Sequence, residues 1–390
     1  MEIKFDSKKG IWADEPESFE KLRRNWFGKK VKGGIILLTP EEALYAINLH
    51  NSRCLEGNKD IGFNELAEHF VKNVPRLFVR YNAYRDWRDR GLVIRNMEKV
   101  KGKIKKSAKK YPAKPGRPRK LKMTVMWYPD SMFSVSEDEE EGKRLFGEMW
   151  MGQFGIYKQT RGKLLKLNFL ETVYLSKYFG LKVIDSNGKK LTHKKILDYV
   201  TKKREWTKQL YEVYEEWRQN GFLVKTGFKF GAHFRIYFPG ASPVGEYTHS
   251  RHVLHVFPKE QKMLISEWAR AVRVAHGVKK TFLLAIPKLK AKDYVKYPAD
   301  FMAYRRKKQA EGWVRETPDD GPRYLLSAVS EDEHIGGIEL ASMLHQAEKM
   351  RLELILSISD RETGITYYVL KRVELPGSKY DYYEIEWMKP

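Results

Sequence analysis

Apolar and polar positions run along this chain in blocks that recur. The first clear block is Ile35–Leu49, IILLTPEEALYAINL. Ile35–Leu38 predicts a short strand. Thr39 then offers an N-cap oxygen, Pro40 fits the first helical position, and Glu41 and Glu42 place negative charge where the helix dipole favours it. Leu44, Ile47 and Leu49 give the helix a buried stripe. Two more helical stretches follow, FNELAEHFVKN and VRYNAYRDWRDRG; Gly91 stops the second, and LVIR reads as a strand.

The block then returns. LKLNFLETVYLSKYF echoes ILLTPEEALYAINLH, and YEVYEEWRQNGFLVKTG echoes YNAYRDWRDRGLVIRN. Tyr45 aligns with Tyr174, Trp87 with Trp217 and Gly91 with Gly221, at offsets of 129 or 130. Two copies of one helical subdomain are expected. The second copy continues further: Arg251–Phe257 alternates as a strand, Leu264–Lys280 is expected as an amphipathic helix, and Thr281–Ile286 as a buried strand. From about Tyr304 a third start is read, with MAYRRKKQAEGWVRET expected to repeat the helix and strand of YEEWRQNGFLVKT. RYLLSAVSEDEHIGGIELASMLHQAEKMRLELILSI then repeats RHVLHVFPKEQKMLISEWARAVRVAHGVKKTFLLAI at an offset of 72. At that offset Leu352 stands in the place of Lys280 and Gly321 in the place of His249. The expected fold class is α/β (α+β), built from repeated units of a small helix-and-strand N-terminal subdomain and a mixed-sheet C-terminal subdomain. The expected divisions are an N-terminal subdomain 1–96, a basic linker 97–122, a central unit 123–298 and a degenerate C-terminal unit 299–390.

Charge changes the picture more than composition does. Lys+Arg 74 against Asp+Glu 50 gives a net +24, which favours a polyanionic partner, nucleic acid first among them. The linker, MEKVKGKIKKSAKKYPAKPGRPRKLK, holds one acid, Glu98, and reads as a long exposed loop. Its core PGRPRK resembles an AT-hook, and contact with RNA phosphates is the favoured reading. SEDEEEGKR reads as a solvated acidic run, and Lys158, Arg161 and Lys163 as a basic turn that could grip phosphates. The single cysteine, Cys54, excludes an intrachain disulfide framework. No apolar run approaches a membrane span, and MEIKFDSKKG lacks a signal-peptide core, so a cytoplasmic protein with no membrane association is expected.

Candidate chemistry falls in Tyr237–Lys280. Tyr237, His249 and Lys280 offer a base, an acid and a fixed cation. Imidazole titrates near neutrality and can donate a proton, and a positioned cation stabilises charge that grows in a transition state. A zinc reading of His249, His252 and His255 fails on a strand, because 252 points away from the other two and no cysteine completes the set. No metal or cofactor is expected. His276 is one turn from Lys280 and could pack or contact RNA.

KFGAHFRIYF, the Thr-His-Ser turn, and RAVRVAHGVKK followed by an apolar strand resemble the catalytic core of archaeal tRNA-splicing endonucleases. LETVYL and YEEWRQNGFLVKTG are similar to that family's N-terminal subdomain. A lone N-terminal subdomain, a full catalytic unit and a degenerate unit resemble its three-unit, epsilon-type architecture. The resemblance implies a nuclease-like fold and a metal-independent endoribonuclease that removes introns from precursor tRNA at bulge-helix-bulge sites. It implies 2′,3′-cyclic phosphate and 5′-hydroxyl products. By motif position, Tyr237 would act as base or position the 2′-hydroxyl, His249 would protonate the leaving oxygen, and Lys280 would stabilise the phosphorane. Arg273 would stack on a bulged base, with Lys296 or Arg305 as its partner. Asp360 and Glu362, at the offset of 72 from Lys288 and Lys290, would make an interunit contact, and a homodimer is implied. The alternatives are a non-catalytic nucleic-acid-binding protein using 97–122 and, more remotely, a metal-dependent nuclease.

Overall fold

The recurring sequence block folds the same way twice. In the first copy Glu2–Asp6 pairs antiparallel with Gly10–Ala13, which pairs antiparallel with Ile35–Leu38, while Glu2–Asp6 runs parallel to Arg53–Glu56. In the second, Thr124–Tyr128, Phe133–Ser136 and Leu165–Asn168 repeat that order, with Lys182–Ile184 as the parallel neighbour. The helices Pro40–His50 and Phe169–Tyr178 both open on a capping box, Thr39 with Glu42 and Asn168 with Glu171. Each glutamate takes a further bond from a glycine N–H, Gly28 at 2.8 Å and Gly152 at 2.9 Å. Both glycines have positive φ, and a Cβ on either would meet a backbone oxygen at 2.4 Å (Leu37) or 2.7 Å (Lys166). Only glycine fits there. Trp87 and Trp217, fully buried, centre the two cores.

This computed structural model describes the whole chain except residues 99, 105–107, 115, 117–118, 156–160, 244–248, 287–288 and 298. Lys158, Lys288 and part of the PGRPRK segment therefore lie outside the described residues. The two subdomains flank one large sheet of eleven strands. In chain order these are β1 (Ile94–Asn96), β2 (Lys109–Lys110), β3 (Leu223–Thr226), β4 (Phe234–Tyr237), β5 (His252–Val256), β6 (Thr281–Ile286), β7 (Phe301–Ala303), β8 (Tyr324–Ser330), β9 (Glu353–Ser359), β10 (Ile365–Glu374) and β11 (Asp381–Met388). Across the sheet the order is β3-β4-β5-β6-β11-β10-β9-β8-β7-β1, with β2 beside β10. Helices α1 (Ile265–Gly277) and α2 (Gly337–Lys349) pack on one face.

That order exposes a pseudo-twofold. β5 and β6 are parallel neighbours joined through α1, and β8 and β9 are parallel neighbours joined through α2. β11 completes the first set by pairing antiparallel with β6, β10 completes the second by pairing with β9, and β10 and β11 pair with each other. The C-terminal strand YYEIEW is thus the seam between the halves. The N-terminal subdomain belongs to the second half: β1 pairs with β7, and residues between 3 and 94 share one core with residues between 301 and 369. Arg80 reinforces the junction with ion pairs to buried Glu41 (2.8 Å) and Asp300 (3.5 Å). The chain therefore runs from one half into the other and back, and each half has an N-terminal subdomain and a sheet.

Three local expectations change, and a fourth gains an element. Residues 301–315 hold no helix: β7 is followed by a hairpin of Arg306–Gln309 and Gly312–Arg315. SEDEEEGKR is solvated as expected and is also helical: Asp138 caps the helix Glu139–Met149, and its glutamates sit at the favourable end of the dipole. Lys280 lies outside α1, which ends at Gly277. The 97–122 segment is not simply an exposed loop. Gly102 and Ile104 bond to the carbonyls of Met350 and Arg351, β2 extends the sheet, and Tyr111 is only 4% exposed within the core of the central unit.

Candidate active site

Strand register decides what meets at this site. Ile236 of β4 pairs with His252 of β5, and His252 pairs with Thr281 of β6. The next position outward on each strand is Tyr237, Arg251 and Lys280. All three lie at one end of adjacent strands, and His249 lies two residues beyond Arg251. The Thr281 N–H donates to the Arg251 carbonyl at 3.0 Å and closes this end of the sheet.

Tyr237 is buried, 1% exposed. Its ring centroid is 4.8 Å from that of Trp150, and the Arg235 guanidinium lies 5.9 Å from the ring. Trp150 is held there by a left-handed backbone, φ +45°, at the end of the helix Glu139–Met149. Beneath it Glu171 accepts from Lys225 Nζ at 3.0 Å, and the same ammonium donates to the Gly152 carbonyl at 2.8 Å. Burial pulls the Lys225 ammonium below its ordinary pKa, and Glu171 opposes that pull.

His249 is exposed. Lys280 is half-buried, and its ammonium donates to the carbonyl of Ser250, the residue after His249. It also lies 5.5 Å from the Phe230 ring centre, a cation–π distance. The backbone aims it: Lys279 takes a left-handed turn, φ +56°, and the Lys280 N–H returns to the Ala275 carbonyl at 2.9 Å. A pocket of about 190 Å³ beside it is lined by Val272, His276, Thr281, Glu386 and Trp387. His276 packs its ring 5.4 Å from Trp387.

His252 and His255 serve the scaffold. His252 meets the Tyr111 hydroxyl at 3.3 Å, and burial, helped by Lys109, Arg251 and Lys280, pushes its pKa down to about 3. His255 packs against His233, ring centroids 4.2 Å apart. Burial holds them at about 3 and about 4 respectively. His233 Nδ1 accepts the Val256 N–H at 3.0 Å. Among the described residues no three His, Cys, Asp or Glu side chains gather as metal ligands.

The remaining sequence candidates are spread out. Arg273 is exposed on α1, beside the Tyr368 hydroxyl. Arg161 and Lys163 are exposed in the central unit. Lys296 is exposed on the connector, where Val295 N–H bonds Ser342 of α2. Arg305 is half-buried beside β7, so it belongs to the second half. Asp360 shapes the β9–β10 turn by accepting the Glu362 and Gly364 N–H groups at 3.0 and 2.7 Å, and Glu362 is exposed at its tip. The sequence pattern gave no role to Trp150, Tyr111 or Trp387. An aromatic standing alone among lysines, as Tyr111 does, was the one available signal.

Residues 207–294 match the family model for the tRNA intron endonuclease catalytic C-terminal domain, a span that includes Tyr237, His249 and Lys280. The chain is 31% identical to a tRNA-splicing endonuclease of Thermococcus onnurineus over 153 residues, 39% of this chain and 82% of that protein. It is 34% identical to one of Saccharolobus solfataricus over 152 residues, 38% of this chain and 81% of that protein. A third, from Methanopyrus kandleri, is 30% identical over 39% of this chain and 77% of its own length. The catalytic-domain match and the coverage of about four-fifths of these relatives agree: this chain belongs to the tRNA-splicing endonuclease family.

Proposed function

We propose that this chain cuts precursor tRNA at bulge-helix-bulge splice sites without a metal, leaving 2′,3′-cyclic phosphate and 5′-hydroxyl ends. One observation carries the reading. Adjacent strand ends gather Tyr237, the His249 segment and Lys280, whereas the second half keeps the strands and has Gly321 and Leu352 at the last two positions. The ribose 2′-hydroxyl attacks the adjoining phosphorus, and the bond to the 5′-oxygen breaks. Tyr237 takes the 2′-hydroxyl proton or holds that hydroxyl in line, with the Arg235 guanidinium 5.9 Å from the centre of its ring. His249 protonates the departing 5′-oxygen. Lys280, anchored on Ser250 and Phe230, faces the charge that grows on the phosphorane oxygens.

Recognition in this reading uses RNA shape and splayed bases rather than long sequence readout. Arg273 stacks on a bulged base, with Lys296 or Arg305 as its partner, and Lys158, Arg161 and Lys163 grip phosphates. One active site per chain and two splice sites per intron call for a homodimer, with Asp360 and Glu362 contacting the partner's basic loop. The test is cleavage of a bulge-helix-bulge RNA in EDTA with analysis of the product ends. A 2′,3′-cyclic phosphate is expected; a 3′-hydroxyl end, or loss of cutting on chelation, excludes the mechanism. Light scattering should give twice 46.0 kDa, and a monomer mass overturns the assembly.

A further inference from the structure

The loop that carries His249 has a counterpart in the second half, and it is built differently. Ala303 of β7 pairs with Ile94 and Tyr324, as Ile236 of β4 pairs with Val224 and His252. Tyr304 therefore stands in the register of Tyr237. It is 2% exposed and donates its N–H to the Val93 carbonyl at 3.0 Å. The rest of the site is closed. Gly102 crosses it so tightly that a Cβ would lie 2.5 Å from Leu352 Cδ2, at the position equivalent to Lys280.

Between Tyr304 and β8, where the central unit has its histidine loop, the second half has the hairpin Arg306–Gln309 and Gly312–Arg315. Arg306 faces Arg315 and Lys308 faces Trp313. Alternate strand residues share a face, so these four side chains line one side of the hairpin. From 305 to 315 there are five cations, Arg305, Arg306, Lys307, Lys308 and Arg315, against one acid, Glu311. The hairpin is tied down at its base: Arg306 donates to the Arg90 carbonyl at 2.8 Å, and Lys307 pairs with Asp320. Toward its tip Lys308 is exposed, and Trp313 is 69% exposed. A tryptophan left in water adds little to folding. Set among cations on a chain of net charge +24, it has the makeup of a stacking platform for nucleic acid.

We propose that this hairpin is a second RNA-binding site, in which an unpaired base of the precursor stacks on Trp313 and Lys308 meets the neighbouring phosphate. The second half then grips RNA where the first half cuts it. This inference rests on the reading of the chain as a precursor-tRNA endonuclease. The test measures the affinity of an uncleavable precursor, 2′-deoxy at its splice nucleotides, by fluorescence anisotropy at several salt concentrations. Trp313→Ala should weaken binding by about 5- to 150-fold, the range of one base–aromatic stack. Trp313→Phe, which keeps a stacking face, should recover most of it. Lys308→Ala should lower the salt slope by about 0.7, the value for one phosphate on single-stranded RNA. Trp313→Ala binding as tightly as the parent overturns the proposal. So does a loss of affinity matched by a change in mass on light scattering, which would make Trp313 a chain–chain contact. If the parent itself neither binds nor cuts the precursor, the functional reading fails first; if it does both while Trp313→Ala is silent, only the hairpin site fails.

Discussion

Tyr111 tests whether the basic segment between the first two subdomains is part of the enzyme's architecture. Its ring is 4% exposed and sits in a cage of Trp217, Phe222, Phe238 and His252, with centroid separations of 5.8, 6.2, 5.9 and 5.4 Å. Truncating a buried aromatic of this size costs about 3–5 kcal/mol. With a urea m-value of about 3 kcal/mol/M, Tyr111→Ala should lower the unfolding midpoint by about 1–1.7 M. Tyr111→Phe keeps the ring and removes only the hydroxyl that meets His252, so its cost should be about 1 kcal/mol, rising toward 3 if the nitrogen stays dry. Phe238 and His252 are also the two stems of the loop that bears His249. Cleavage by Tyr111→Phe, measured on fully folded enzyme, should therefore drop through kcat more than through KM. Urea unfolding followed by circular dichroism separates the two variants. An unchanged midpoint for Tyr111→Ala would refute the packing of the segment.

Three further outcomes follow, two from buried groups and one from a left-handed backbone position. His233, His252 and His255 are held below the ordinary histidine pKa, so the unfolded chain binds more protons than the folded one at mildly acid pH. Stability should be at its full value above about pH 6.5, fall below it at about 1.4 kcal/mol per pH unit for each such histidine, and level off below about pH 4 to 3; thermal melts from pH 7 to pH 5 that fail to fall would contradict this. Glu171→Ala removes the partner of buried Lys225 and of two backbone N–H groups, and should cost about 3–5 kcal/mol; Lys225→Met in the same chain should restore part of it in a thermal melt. Lys279→Gly replaces a left-handed lysine, relieving about 1–2 kcal/mol of strain against about 0.5–1 kcal/mol of glycine entropy, so calorimetry should find the variant as stable as the parent or up to about 1.5 kcal/mol better.

The repeated subdomain was legible because its supports are specific residue types. A cap at Thr39 or Asn168, a glutamate three residues on, a buried tryptophan and a stopping glycine recur in order. The offset of 72 likewise placed Gly321 and Leu352 opposite His249 and Lys280. What sequence could not supply was pairing between distant strands. Nothing local in YYEIEW says that it bridges β6 and β10, or in LVIR that it joins β7. RRKKQAEG is rich in good helix formers, and cross-strand pairing overrides that preference. The helix before Lys280 ends three residues short of its amphipathic pattern; its end at Gly277 and the left-handed Lys279 that follows aim Lys280 at Ser250. The basic segment reads as exposed because charge dominates its composition, although Tyr111 and Leu121 are both buried in the central core.

The central claim is that His249 supplies the proton to the leaving 5′-oxygen in a metal-free cut. It is tested most directly by single-turnover cleavage of a bulge-helix-bulge RNA in EDTA, comparing the parent with His249→Ala at equal folded concentration. Loss of a general acid should slow the cut by about 10²–10⁴-fold while RNA affinity is retained. A His249→Ala variant that cuts as fast as the parent would contradict the account.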